Sequence, residues 1–592
     1  MSPSAAQLMN VSDFAVLAPE VALGIWGLLV LLVDVGLLRG KSSDWRRMLC
    51  GWLSLAGVVF ALVVSLLPLL ARYNLFGAVS AFKLTASSAA IGADPYVLFG
   101  TIASDLLTEL FNPLYIILLG LVILMSMSWS FTDDWGEYFA LLFWSTVGMM
   151  VLTAAEELLT LFLALETMTI CLYICAAFEK TRRRSVEGGL KYFVYGSVSS
   201  ALFLFGLSLL YGLTGTTRFP AIWLALHPSA GGDVTGLEGN IAGATALMLM
   251  LVGFGFKVAA VPFHQWAPDT YEGAPAPVTA WIATGSKMAS FVALMKVLLH
   301  ALHPWASPAG TVLSPGWIGI VVVLSAATMT YGNFAALAQR NFKRMLAYSS
   351  IAHAGYMLVG VAAAGVSNRH EESAGSVLFY LVIYALSNLG AFAVAAWLAR
   401  ERHGDDIEDL NGLGADHPGL ALCLVLLMLS LIGMPPLAGF FGKLYMFMEA
   451  INETRSGGLT LLWLVGLGLL NSVVSAFYYV RVLKAMFLRS PTRGSLGPAP
   501  MSITLPIVLG TAVVVGFGIF PTPLLNDLKD AATPMLTSSG LMLNVPAPGS
   551  GASAVPAGAA PALSGWHPDP ILVGVEGTNP IVRPVQAAQN KP

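Results

Sequence analysis

Residues 253–278 read GFGFKVAAVPFHQWAPDTYEGAPAPV, and this stretch decides the kind of fold. It starts inside an apolar run long enough to cross a membrane, places Lys257 in that run, and follows it five residues later with Pro262. Proline removes a backbone donor and clashes with the preceding turn, so the helix must break or kink. Such a break at membrane depth survives only inside protein or beside water. A second stretch, LIGMPPLAGFFGKLYMF at 431–447, repeats the combination, with Pro435 and Pro436 ahead of Lys443. Each break therefore sits beside a lysine in apolar surroundings, where an ammonium costs about 2.5–3.5 kcal/mol on insertion scales.

Composition agrees. Hydrophobic residues make up 56% of the 592 and charged residues 11%, against roughly 25% charged in soluble domains. Mean hydropathy is +0.75. This is the signature of an all-α polytopic membrane protein, and the basic residues fall in short clusters that form no stripe for nucleic acid. A span needs about 20 apolar residues. The sequence predicts fourteen, near 14–38, 48–70, 111–130, 135–154, 157–178, 189–213, 242–264, 276–300, 314–334, 345–365, 376–399, 419–450, 458–486 and 502–522. No cleavable signal peptide is expected, because the non-basic start runs straight into a full-length span.

The charges between spans test that count, since short cytoplasmic loops hold the Lys and Arg excess. Loops after odd-numbered spans hold Arg39, Lys41, Arg46, Arg47, Lys180, Arg182, Arg183, Arg184, Lys191, Arg340, Lys343, Arg344, Arg400, Arg402, Arg481, Lys484, Arg489 and Arg493. Loops after even-numbered spans hold only Arg72, Lys83, Arg218, Arg369 and Arg455. The alternation supports fourteen spans with both termini outside the cytoplasm.

Broken helices five spans apart predict two five-helix repeats, spans four to eight (135–300) and nine to thirteen (314–486), each containing one broken helix. Because five is odd the repeats are inverted, the plan of many transporters. Spans one to three and an outer loop occupy 1–134, span fourteen occupies 502–525, and 526–592 is rich in Ala, Pro, Gly and Ser, as in APGSGASAVPAGAAPALSG at 547–565. That composition predicts a disordered outer tail.

Several residues can carry protons. Glu166, in TLFLALETMTICLYICAAF at 160–178, is the one charge in its helix interior. A carboxylate beside an ammonium stays ionised and holds its partner's proton, so a Glu166–Lys257 pair is a switch, or else a static ion pair that orients helices. Lys287 lies eleven residues into span eight, about 16 Å deep at 1.5 Å per residue, and Lys443 is similarly placed. Lysine accepts and releases protons where arginine cannot. Lys296, near the outer end of span eight, is expected to snorkel to the interface and to matter less than Lys287. His264 lies seven residues after Lys257, a same-face spacing, and His353 lies inside span ten; each is a relay or a packing residue. Lys191 is a proton-uptake residue or a positive-inside anchor, and Lys343 and Arg344 are read as anchors.

No Gly-rich phosphate loop, haem-type His pairing or cysteine cluster is evident, and Cys50, Cys171, Cys175 and Cys423 read as small packing residues. No metal, nucleotide or redox cofactor is expected in this chain.

Four stretches, 256–291, 342–360, 189–215 and 433–447, resemble the antiporter-like membrane subunits of respiratory complex I over about residues 14–525. GSKMASF at 285–291 and PPLAGFFGK at 435–443 are most similar to the N branch of bacterial NADH-quinone oxidoreductase; one sister branch has glutamate at the Lys443 position, and the sister with a long C-terminal arm carries a lateral helix not expected here. The resemblance implies that Glu166, Lys257, Lys287 and Lys443 move protons, driven by quinone reduction in a complex whose other subunits hold NADH, flavin, iron–sulfur clusters and quinone. It implies sister antiporter-like subunits and membrane lipid as partners, and a bacterial plasma membrane as the location. The alternative is a subunit of a cation/proton antiporter without redox partners, which needs the same buried lysines. A purely structural scaffold does not account for midplane lysines beside broken helices.

Overall fold

The computed structural model describes residues 16–72, 96–227, 237, 240–306, 316–366, 370–402, 404–455, 461–491 and 497–535. Thirteen of its helices are long and apolar enough to cross a membrane: Ala18–Leu38, Ser43–Leu70, Leu106–Met127, Trp135–Ala154, Leu158–Ala176, Arg183–Thr214, Ile241–Val258, Ala276–Ala301, Trp317–Leu337, Phe342–Val366, His370–Glu401, Leu462–Leu488 and Met501–Ile519. The predicted twelfth span is two shorter helices, Pro418–Ile432 and Ala438–Arg455, interrupted at the Pro-Pro pair. The fold is thus all-α, with two inverted five-helix repeats that each contain a broken helix.

Spans eight, ten and eleven form the centre, with the apolar windows of eight and eleven wholly buried. Spans one, two, six, nine, thirteen and fourteen keep much of their apolar surface outward, as helices facing lipid or apolar neighbours do. Equivalent spans of the two repeats pack alike, four on five and nine on ten, six on seven and eleven on twelve.

Both breaks have local causes. Span seven stops at Val258, where Ala259 takes a left-handed conformation (φ 59°) and Ala260 N–H returns to the Gly255 carbonyl. Val261 N–H, freed by the break, is taken up by Thr328 Oγ1 at 2.9 Å, and the short helix Trp266–Gly273 follows. Span twelve stops at Gly433, φ 91°, a backbone state that favours glycine. Span eight carries π turns at Ile282–Ser286 and Val297–Ala301, flanking an α-helical segment Lys287–Lys296.

Two expectations change. Residues 526–535 are not tail: the helix Thr522–Ala532 and the turn Thr533–Met535 bury Leu525, Leu528, Ala531, Ala532 and Met535, an amphipathic face that packs on span eleven. The rest of the predicted tail, 536–592, lies outside the described residues. Span three begins at Leu106, earlier than expected, because Asp105 caps it by accepting from Thr108 N–H at 2.9 Å.

Candidate functional site

The two helix breaks place lysines against helix C-termini, where unpaired carbonyls and the helix dipole favour a cation. Lys443, on the second piece of span twelve, reaches back across the break. Its Nζ donates to the carbonyls of Leu431 and Ile432 at 3.0 and 2.9 Å and to Ser472 Oγ at 3.0 Å. The ammonium also stands 4.6 Å over the Tyr356 ring. Gly433 makes room: a Cβ there would stand 3.1 Å from Lys443 Cδ.

Lys257, in the last turn of span seven, is buried and lies 3.7 Å from Glu166 Oε1. It donates to Tyr173 Oη at 3.2 Å and to Ser200 Oγ at 3.5 Å, while Ser200 itself donates to Glu166. The structure therefore brings Glu166 and Lys257 together, with a serine shared between them. Glu166 is about one-fifth exposed and Lys257 almost fully enclosed, so the carboxylate is the outward member.

Lys287 donates to the carbonyl of Ser350 at 2.8 Å and to its hydroxyl, and its ammonium lies 5.7 Å over Tyr384. Ser350, His353 and Tyr356 sit at three-residue steps on span ten, so they share one face. His353 Nδ1 lies 2.6 Å from Tyr380 Oη and Nε2 lies 3.2 Å from Tyr479 Oη. Its ring packs on Tyr356, over which Lys443 stands. The face of span ten thus runs from Lys287 through Ser350, His353 and Tyr356 to Lys443, in apolar surroundings. The direct contacts fall into two groups, Glu166–Ser200–Tyr173–Lys257 and Lys287 to Lys443.

At the basic side of the bundle a polar cleft is lined by Arg184, Glu187, Lys191, Asp269, Glu272 and Arg344. Lys191 pairs with Glu187 at 2.8 Å and Asp269 at 2.7 Å, and Arg344 bridges Asp269 at 2.7 Å and Glu272 at 2.9 Å. Asp269 is partly buried, which raises a carboxyl, but Lys191 and Arg344 outweigh this and hold it below the usual range. Below the cleft, buried Lys343 lies 3.5 Å from Asp405, which also accepts from Arg182 at 3.0 Å.

Three sequence expectations are corrected. Lys296 does not snorkel: it is wholly buried and paired with buried Glu156 at 2.7 Å. Lys343 is not an interface anchor but a buried member of the Asp405 cluster, and Arg344 is held by carboxylates. His264 does not share a helical face with Lys257, because the chain leaves the helix at Val258; its ring packs on Tyr331, centroids 4.5 Å apart. Sequence reasoning missed Tyr173, Ser200, Ser350, Tyr380 and Tyr479, whose hydroxyls are unremarkable on apolar helices until a lysine or histidine is seen beside them. It also missed Asp34, buried in span one and paired with Arg46 Nε at 2.7 Å, and Glu156, which the paired acids at 156–157 could have flagged. Among the described residues no group of His, Cys, Asp and Glu is arranged to hold a metal ion.

A family model described as NADH:quinone oxidoreductase/Mrp antiporter, TM, matches residues 155–473. The chain is 38% identical over 524 residues to the NADH-quinone oxidoreductase subunit N of Trichlorobacter lovleyi, covering 88% of this chain and 96% of that one. It is 37% identical over 525 residues to the subunit N of Rhodospirillum rubrum, with the same coverage. Among solved structures, a chain of respiratory complex I from Thermus thermophilus with bound aureothin is similar with TM-score 0.66 and 30% identity, covering 86% of this chain and 99% of that one. A chain of the Mrp complex from Dietzia sp. DQ12-45-1b shares the fold, with TM-score 0.71 at 17% identity over 90% of this chain and 98% of that one. Its broken helices with their lysines lie within the matched region, and the chain belongs to the NADH:quinone oxidoreductase/Mrp antiporter transmembrane family.

Proposed function

We infer that the chain is a proton-translocating membrane subunit of NADH:quinone oxidoreductase, moving protons through buried Lys and Glu groups while electrons pass from NADH to quinone elsewhere in the complex. The observation that carries this reading is the row of side chains from Lys287 through Ser350, His353 and Tyr356 to Lys443. Relatives named NADH-quinone oxidoreductase subunit N match most of the chain.

Protons enter from the basic side, taken as cytoplasmic by its Lys and Arg excess, at the cleft that holds Lys191. Glu166 is the charge that holds the proton on Lys257; drawing the two apart lets the lysine release it. Lys287 and Lys443 alternate between ammonium and amine, with His353 and the hydroxyls around it passing the proton between them. Water bridges Lys257 to Lys287. We place His264 as a packing residue at the break, consistent with its contact with Tyr331, and read 135–300 and 314–486 as the two repeat units. NADH, flavin, iron–sulfur clusters and quinone are assigned to partner subunits. The partners within the membrane are sister antiporter-like subunits and lipid, in a bacterial plasma membrane with both termini on the outer side.

The alternative, a subunit of a cation/proton antiporter without redox partners, is compatible with the fold shared with the Mrp complex chain; the identity and coverage of the subunit N relatives favour the oxidoreductase. Extraction of the tagged chain from native membranes separates them. Co-purification with flavin- and iron–sulfur-containing subunits and NADH:quinone reductase activity is expected, whereas recovery with membrane antiporter subunits alone would overturn the reading. Within the assembled complex, Lys287→Ala is expected to lower quinone reduction and proton translocation together.

A further inference from the structure

Four ionisable groups that the path above does not use meet at the end of span eight opposite the basic side. Lys296 Nζ lies 2.7 Å from Glu156 Oε1 and donates to the Thr153 carbonyl at 3.0 Å. One turn on, His300 Nδ1 stands 3.3 Å from Glu156 Oε2 without hydrogen-bond alignment, and both ring nitrogens are buried without a hydrogen-bond partner. Asp105 at the start of span three spends one oxygen on the helix cap and leaves Oδ2 buried and unpartnered. Burial raises the Asp105 carboxyl, and the charge of Lys296 is the largest influence acting against it. For Glu156, in the turn between spans four and five, burial is outweighed by Lys296 and His300, which hold its carboxyl below the usual range.

Fastening helices does not explain such a cluster. A buried ion pair is seldom more stabilising than apolar side chains of the same volume, and each buried polar atom left unpaired costs about 1–3 kcal/mol. Open positions on two carboxylates and an imidazole, beside a paired lysine, are what a proton needs in order to stop and move on. The cluster shares a helix with the path: Lys296 and Lys287 end one α-helical segment, about 13 Å apart along it and on opposite faces, Lys287 toward Ser350 and Lys296 toward Thr153 and Glu156. A π turn adjoins that segment at each end, a distortion frequent at functional sites.

We propose that Lys296, Glu156 and His300 form a proton-release station for the first repeat, taking protons from Lys287 and passing them outward past Asp105. The station rests on the proton-translocating reading above. A proton reaching the Lys296 amine makes it an ammonium; transfer to Glu156 restores the amine and leaves a carboxylic acid; His300 takes that proton and Asp105 passes it to outside water. No electron moves, and each group returns to its starting form.

The test is Lys296→Arg in the complete complex, in vesicles, with NADH-driven proton translocation as the readout. Arginine keeps the charge and the pair with Glu156 but does not release a proton. The expected result is an assembled complex whose translocation falls about tenfold or more, since a positioned proton-transfer group typically contributes at least that much. The double variant Lys296→Met, Glu156→Gln removes both charges, so it is expected to assemble and to translocate as poorly. Wild-type translocation by either assembled variant would overturn the station, as would failure of both to assemble, which would assign the cluster to holding helices. Lys287→Ala is measured alongside. If it is inactive while Lys296→Arg pumps normally, only the station falls; if both pump normally, the underlying reading falls too.

Discussion

Replacing Glu166 by glutamine tests the switch at the head of the path with little change in shape. The amide can still accept from Ser200, while the charge beside Lys257 disappears. At the observed 3.7 Å, the pair is worth about 4.5 kcal/mol at an effective dielectric constant near 20. Glu166 is about one-fifth exposed, and screening reduces the effective interaction to about 1.5–3 kcal/mol. At about 1.4 kcal/mol per factor of ten, the proton-transfer equilibrium shifts by roughly ten- to a hundredfold. In membrane vesicles containing the assembled complex, NADH:quinone reductase turnover and proton translocation are both expected to fall by about tenfold or more, the low end of that range. The amount of assembled complex is expected to change little, because the substituted side chain lies at the outward edge of the pair. Wild-type turnover and translocation in a fully assembled Glu166→Gln complex would refute the reasoning and leave the pair a static contact.

Other outcomes follow from the same geometry. Gly433→Ala forces a left-handed conformation on a residue with a Cβ, at about 1–2 kcal/mol, and pushes on Lys443; translocation is expected to drop more than assembly, read by comparing pumping with complex content on native gels. Gly439→Ala would set a Cβ 2.0 Å from the Ser430 carbonyl oxygen, so it is expected to prevent the two pieces of span twelve from packing and to deplete the complex from membranes. Asp405→Asn leaves buried Lys343 and Arg182 without their shared carboxylate and is expected to destabilise the extracted protein by about 3–5 kcal/mol, measured by thermal unfolding in detergent. Asp405 also predicts a pH dependence. Burial raises its carboxyl, but Lys343 and Arg182 outweigh burial and hold it below the usual range. A carboxyl lowered on folding contributes stability that is complete above its unfolded value and lost as pH falls through the folded one. Acid therefore lowers the unfolding temperature of the native protein more steeply than that of Asp405→Asn, and equal slopes would show that the cluster carries no linked protons.

Much of the site was legible because charges stand out in apolar sequence. Lys257, Lys287 and Lys443 are identified by the expense of an ammonium at membrane depth, and Pro262 and the Pro435–Pro436 pair mark the breaks beside two of them. What local spacing could not supply was the partner. Lys296 reads as an end-of-helix lysine free to reach the interface, yet Glu156, from the turn between two other spans, meets it inside the bundle. His264 reads as one helical face with Lys257 only if the helix continues, and the left-handed Ala259 ends it first. Ser350 and Tyr356 carry no signal until span ten is seen between Lys287 and Lys443.

The sequence by itself determined the class, the number of crossings and the location of the breaks. Each depends on a local property: about twenty apolar residues to span the hydrocarbon, a Lys and Arg excess on alternate loops, and proline's missing donor. Only the tertiary structure decided which buried charges are paired and which are linked in a row. Those contacts join residues far apart in the chain, 84 positions for Lys257 with Tyr173 and 143 for Lys296 with Thr153. In a low-dielectric interior a buried charge is defined by the groups that surround it, and those are set by how the helices pack, which no single helix encodes.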